Sequence, residues 1–271
     1  MSKLSHEEKV ALYERIAKRD EQKGDGIDKS RTMIVIKSNA LIQQTRYELS
    51  LQEQRILLYL ISKIKPDDTE IKETEISIID FCKVCGIDYT KNKATYSYVK
   101  SILKNLADKS NWIEFEPDTE TLVRWIDTLS IHKGSGSVKI SLSRNLAPYL
   151  IGLRKQYTQI PLFNILPMKS KYGIRLYEIL KSYANLGSKR ISIDELKKRL
   201  NAESYKDTSN FKKKVLFPAL KDIEEYGDVK VSTIFIKTKN KITHIEVVIT
   251  LIDDINEKIS RWDDIENALG K

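Results

Sequence analysis

A chain of 271 residues with 41% hydrophobic and 31% charged side chains has room for two soluble domains of ordinary size. No apolar run approaches the roughly 20 residues needed to span a bilayer, and the first thirty residues are charged throughout, so neither a membrane span nor a signal peptide is expected. The net charge of +9 is unevenly laid out: basic and acidic side chains number 7 and 7 over residues 1–30, 17 and 15 over 31–150, 20 and 10 over 151–252, and 3 and 6 over 253–271. A polyanionic partner is therefore expected for residues 151–252 specifically.

In chain order, residues 5–22 read as an amphipathic helix with Val10, Tyr13, Ile16 and Ala17 on one face, and Gly24-Asp25-Gly26 breaks it, giving a mobile arm over residues 1–30. Met33 to Ile36 is a short apolar strand. Ser50 and Glu53 have capping-box spacing and open a helix to about Lys65 that buries Ile56, Leu57, Leu60, Ile61 and Ile64, ended by Pro66. Glu75-Ile76-Ser77-Ile78 then leads into a short helix from Ile79 to Cys85, a second from Tyr96 to Lys109, and a strand from Trp112 to Glu116. Strands Leu122 to Ile131 and Ser137 to Leu142 follow, joined at Gly134-Ser135-Gly136. Asn145 to Tyr157 reads as a connecting helix with Pro148 in its first turn, where proline is tolerated.

Beyond Pro161 and Pro167 the same pattern recurs. Arg190-Ile191-Ser192-Ile193, a short helix from Asp194 to Leu200, a helix from Asn210 and a strand from Val229 repeat the earlier order. Ile76 and Ile191 are 115 residues apart, as are Tyr96 and Phe211, while Leu58-Tyr59 matches Leu176-Tyr177 at 118. Three matches in near-register point to an internal repeat. The expected units are residues 31–150 and 151–252, with an acidic tail over 253–271 that caps the second unit or stays flexible.

The most informative stretch is Ser204 to Thr243. Asp207, Thr208 and Ser209 can each cap a helix start. Counting 100° per residue, Phe211, Val215, Ala219 and Ile223 share one face with Leu216 at its edge; Asn210, Lys213, Lys214, Phe217 and Lys221 share the other. Pro218 should distort the helix near Lys214, either to fit the core or to aim its first half. Strands Val229 to Ile236 and Thr243 to Ile252 flank a turn bearing Lys237, Lys239 and Lys241. A lysine run is commonly just a solvated face. Here the turn repeats the sign of the helix, and a helix followed by a basic hairpin is the plan of a winged helix, whose helix enters the major groove and whose wing touches phosphates. The fold class is therefore α+β, two tandem winged-helix domains.

Other chemistry is not indicated. Cys82 and Cys85 form a C-x-x-C suited to a reducing cytoplasm, but His6, His132 and His244 are isolated, so no zinc set is expected; on the predicted helix Phe81, Val84 and Cys85 face inward and read as core. There is no phosphate-binding loop for nucleotides and no histidine pair of the nickase type. The reading is of a protein that is not an enzyme, with no cofactor and no metal.

SNALIQQTRYELSLQEQRILLYLISKI, from Ser38, and SNFKKKVLFPALKDI, from Ser209, resemble the iteron-binding plasmid replication initiators, Rep proteins with two tandem winged helices. The resemblance covers about residues 31 to 252. It implies initiation at origin direct repeats, repression of the protein's own gene at an inverted operator, host replication proteins as further partners, and a second module that does most of the reading. By the same resemblance Lys213 and Lys214 fall at basic recognition positions, and Phe211, Val215 and Pro218 at structural ones. The first unit, with dimerisation and auxiliary contacts, is nearly neutral, although Lys100, Lys104 and Lys109 on its second helix could touch the backbone. A free strand edge on its long hairpin would support a homodimer in equilibrium with monomer, the dimer on the inverted operator and the monomer on each direct repeat. A transcription regulator without a replication role, or a scaffold for an acidic protein, are the alternative classes.

Overall fold

The computed structural model describes residues 33–46, 48–65, 67–87, 93–116, 119–131 and 136–269. The expected helix over residues 5–22, Gly134 and Ser135 lie outside them. The first unit begins with β1 (Ile34–Ser38) and α1 (Asn39–Gln44), followed by α2 (Leu51–Ile61). The start of α2 is fixed by the capping box its spacing predicts: the Ser50 hydroxyl accepts from Glu53 N–H, and the Glu53 carboxylate accepts from Ser50 N–H at 2.6 Å. The helix stops at Ile61, earlier than expected. Its last turn loosens where the Ser62 hydroxyl donates to the Tyr59 carbonyl, and Ile64 is only partly buried.

Next come β2 (Thr74–Ser77), α3 (Ile78–Cys85), α4 (Lys93–Asp108), β3 (Ser110–Glu116), β4 (Thr119–Arg124), β5 (Ile126–Ile131) and β6 (Ser137–Leu142). The single strand expected from Leu122 to Ile131 is two. Trp125 interrupts it, 1% exposed, with its carbonyl accepting from Ser143 N–H, so the chain leaves a hairpin with β3 and enters a sheet ordered β2-β6-β5. A large apolar ring outweighs ladder continuity when turning the strand buries it.

The connecting helix over Asn145 to Tyr157 is also corrected. Only a 3-10 turn (Arg144–Leu146) and one α-turn, α5 (Ala147–Leu150), form. Gly152 and Gln156 then take left-handed φ of 64° and 53°, which a helix cannot include. Tyr157 opens β7 (Tyr157–Pro161), antiparallel to β1, with Val35 opposite Ile160. Near the far end of this pairing lies a buried charge cluster. The Lys37 ammonium meets Glu178 at 2.7 Å with both side chains fully buried; Arg175 holds the other Glu178 oxygen at 3.3 Å and donates to the Ile42 and Thr45 carbonyls. Three charges are thus removed from water only because each is hydrogen-bonded.

The second unit holds α6 (Leu162–Ile165), α7 (Lys171–Tyr183), β8 (Ser188–Ser192), α8 (Ile193–Arg199), α9, β9 (Val229–Thr238) and β10 (Lys241–Leu251). Helix α9 runs from Thr208 to Tyr226 in three successive segments. Its sheet is ordered β8-β10-β9, the same first–last–middle order as β2-β6-β5, with the β3–β4 hairpin as the first unit's addition. Leu58-Tyr59 and Leu176-Tyr177 are buried on α2 and α7, as the repeat requires. Helix α10 (Ile255–Leu269) lays Trp262 on Phe163, rings 4.2 Å apart, and Arg261 donates to the Glu224 and Gly227 carbonyls at the end of α9.

Candidate nucleic-acid interface

Helix α9 begins at Asp207, whose carboxylate accepts from Asn210 N–H at 2.8 Å. Phe211, Val215, Leu216, Ala219 and Ile223 are buried, each at 1% exposure or less. Asn210, Lys213, Lys214, Phe217 and Lys221 are all exposed, on the face where the 100° count puts them. The distortion expected near Lys214 is a π-helical turn, Lys212–Leu216, in which the Phe217 N–H reaches back to the Lys212 carbonyl. The wider turn relieves the clash between the Pro218 ring and the carbonyl four residues before it, and the α-helix resumes at Phe217.

The wing is β9, a two-residue tip and β10. Lys239 and Asn240 take φ of 48° and 65°, the pair of left-handed residues of a type I′ hairpin turn. Asparagine suits that conformation; lysine adopts it at a steric cost. Lys237, Lys239 and Lys241 are exposed along one end of the hairpin, and Thr238 and Thr243 hydroxyls meet across it at 3.0 Å. Among the described residues none of the six lysines at 213, 214, 221, 237, 239 and 241 is in an ion pair. Their charge is available to a partner.

Residues 34–181 match the family described as initiator replication protein, WH1, and residues 192–249 match initiator Rep protein, WH2. The chain belongs to the replication-initiator family. A relative from Escherichia coli, described as an uncharacterized 27.6 kDa protein, is 22% identical over 206 residues, which is 71% of this chain and 85% of its own. Among solved structures, the Pi initiator protein crystallised in complex with iteron DNA superposes with a TM-score of 0.65, covering 83% of this chain and 99% of that one. At 20% identity that likeness is one of fold.

The first winged helix of this initiator presents a different surface. Lys100 and Lys104 are exposed on α4, as expected, but Lys104 is ion-paired with Asp108 one turn on. Lys109 points inward and holds Glu53 at 2.7 Å. Burial opposes ionisation of Glu53, but the Lys109 and Ser50 hydrogen bonds outweigh it and hold the carboxyl below its ordinary range. Lys109 is thus a clamp on the α2 capping box. Among the described residues β2 and β5 are the edge strands of their sheet and the β3–β4 hairpin pairs with no third strand; on it Trp112 and Leu122 face each other in register, 57% and 51% exposed.

Cys82 is buried, and burial pushes its thiol up to about 11, far from a reactive thiolate. Among the described residues no group of three or more His, Cys, Asp or Glu side chains could hold a metal, and no helix is long and apolar enough to cross a membrane. A cavity of about 420 Å³ lies between β7, α7 and α10, with Lys181, Asp228 and Trp262 in its walls, and shares no residue with the cationic face. One residue of the face escaped the helical count. Lys212 is half-buried, its ammonium 4.3 Å from the Phe235 ring centre and 5.6 Å from that of Phe217. The strand that supplies Phe235 is not legible as a neighbour from helix spacing.

Proposed function

We propose that this initiator binds double-stranded DNA at direct repeats of a replication origin, chiefly through residues 151–252, and starts replication there without catalysing a reaction itself. The observation that carries the reading is the set of six exposed lysines, outside any described ion pair, on the outer face of α9 and on the wing. Family membership supports it, as does the shared fold with an initiator, Pi, that was crystallised on iteron DNA. Helix α9 lies in the major groove, with Asn210, Lys213, Lys214, Phe217 and Lys221 toward the base edges and adjacent phosphates. Lysine offers charge without arginine's planar bidentate fork, so phosphate attraction supplies much of the affinity. The first unit (31–150) adds weaker contacts through Lys100 and Lys104 and carries dimerisation through an open edge, with Trp112 and Leu122 as its apolar part. The dimer occupies an inverted operator and represses the protein's own gene; a monomer sits on each direct repeat.

The test is binding to duplexes taken from the DNA flanking the gene. Tight, salt-sensitive binding to tandem repeats of about two helical turns, over random DNA of equal length, supports initiation. Binding to one inverted operator and to no tandem array would instead mark a transcription regulator. The masses of both complexes, by ultracentrifugation, decide the monomer–dimer assignment, which fails if a dimer sits on each direct repeat.

A further inference from the structure

Phe217 lies in the middle of the cationic stripe on α9, with Lys213 one turn before it and Lys221 one turn after, and it is 47% exposed. A phenyl ring left half in water on a face otherwise built of lysine contributes little to the core, which Val215, Leu216 and Ala219 already fill. Yet the ring is not loose. It meets Phe235 of β9 edge to face, centroids 6.4 Å apart and planes at 80°, a favoured aromatic geometry. Lys212 places its ammonium near both rings, nearest Phe235, so its charge is engaged with the ring pair. The π-turn is what allows this, because it lets Lys212 and Phe217 stand one wide turn apart on the same side of the helix. Pro218, also exposed, follows immediately and extends the apolar spot.

An apolar spot held rigid inside a basic face has one counterpart in a major groove. Phosphates, base carbonyls and amino groups are polar; the C5-methyl of thymine is the one methyl group that the four bases present there. Resting on the reading that α9 enters the major groove, the geometry points to Phe217 as a specificity-determining residue that packs on a thymine methyl. Phe235 and Lys212 act as positioning residues that hold its ring. The lysines on either side supply charge and polar contacts, and Phe217 adds discrimination of its own by excluding water from a methyl group that cytosine and uracil lack.

The test uses duplexes enriched by the full chain from a random pool about two helical turns long. Each thymine is then replaced in turn by deoxyuridine, which removes the methyl and leaves every hydrogen-bonding group in place. At one or two positions the wild-type protein should lose about three- to five-fold in affinity, the worth of burying one methyl group. Phe217→Ala should bind thymine and deoxyuridine duplexes equally while still melting cooperatively as a folded protein, with only the small loss that the Phe235 ring pair accounts for. Phe217→Leu should keep part of the preference, and Phe235→Ala should weaken the thymine-to-deoxyuridine ratio without touching DNA. Wild-type indifference to every deoxyuridine, an enriched site without thymine, or a Phe217→Ala protein that keeps the penalty would each overturn the assignment. If no duplex is enriched over random DNA, the DNA reading itself fails, and that result is distinct from the others.

Discussion

The two winged helices share a sheet order and a helix plan but deploy their charge differently. In the first, Lys109 is drawn inward to Glu53 and Lys104 to Asp108, so much of the helix charge is neutralised within the unit. In the second, Lys213, Lys214 and Lys221 of α9 and the three lysines of the wing are exposed and outside any described ion pair. The first adds a β3–β4 hairpin with an apolar, unpaired surface; the second keeps a tight two-residue tip loaded with lysine. On the function proposed above, the shared fold does not itself specify DNA reading. What specifies it is whether the outer face of the second helix has been left without internal partners.

The largest effects should come from the interior of each unit and the bond between them. Glu178→Gln would leave the Lys37 ammonium buried without its counter-charge, at a cost of about 3–5 kcal/mol. Burial already lowers the pKa of Lys37, so its folded form gives up its proton before the unfolded form does. Stability of that variant should therefore rise with pH toward the ordinary lysine pKa of about 10.4, as the unfolded chain holds the extra proton. A flat pH response in thermal melts would show that the cluster is not dry. Phe211→Ala should cost roughly 3–5 kcal/mol by opening a cavity under α9.

Lys213→Ala sharpens the comparison between packing and reading. Its melting temperature should not move, while discrimination between repeat and random DNA should fall by about 1–3 kcal/mol if the ammonium contacts a base. A loss of stability with selectivity intact would reverse the orientation of α9. A smaller pair of opposed effects is expected at the tip. Lys239→Gly should stabilise the fold by about 1 kcal/mol, since glycine accepts positive φ without the lysine's steric cost, yet lower the salt slope of binding by about one. If binding were unaffected, the strained lysine would have no role at the interface.

Much of this was legible in the sequence, for definable reasons. The α9 faces follow from local periodicity, and all five outer residues are exposed because the π-turn displaces the count by less than the width of the stripe. The Ser50–Glu53 box is four residues long and is recognisable from local spacing alone, although the Lys109 that clamps it comes from 56 residues further on. The errors fall where a remote partner decides. Residues 145–157 look helical by composition, but Thr158 and Ile160 alternate against β1, some 120 positions earlier in the chain. Trp125 breaks its strand because the core, not the ladder, has a place for it. Lys212 was unreadable for the same reason, since the ring it lies over belongs to β9.

The measurement that bears most directly on the division between the units is the salt dependence of binding to a repeat duplex, for three full-length proteins. These are the wild type, a variant with Lys213, Lys214, Lys237, Lys239 and Lys241 changed to alanine, and one with Lys100 and Lys104 changed. The slope of log affinity against log salt falls by about 0.9 per lost phosphate contact. The second-unit variant should lose roughly three to five units of slope and most of its affinity, and the first-unit variant about one at most. Equal losses in the two variants, or a second-unit variant whose slope matches wild type, would contradict the account.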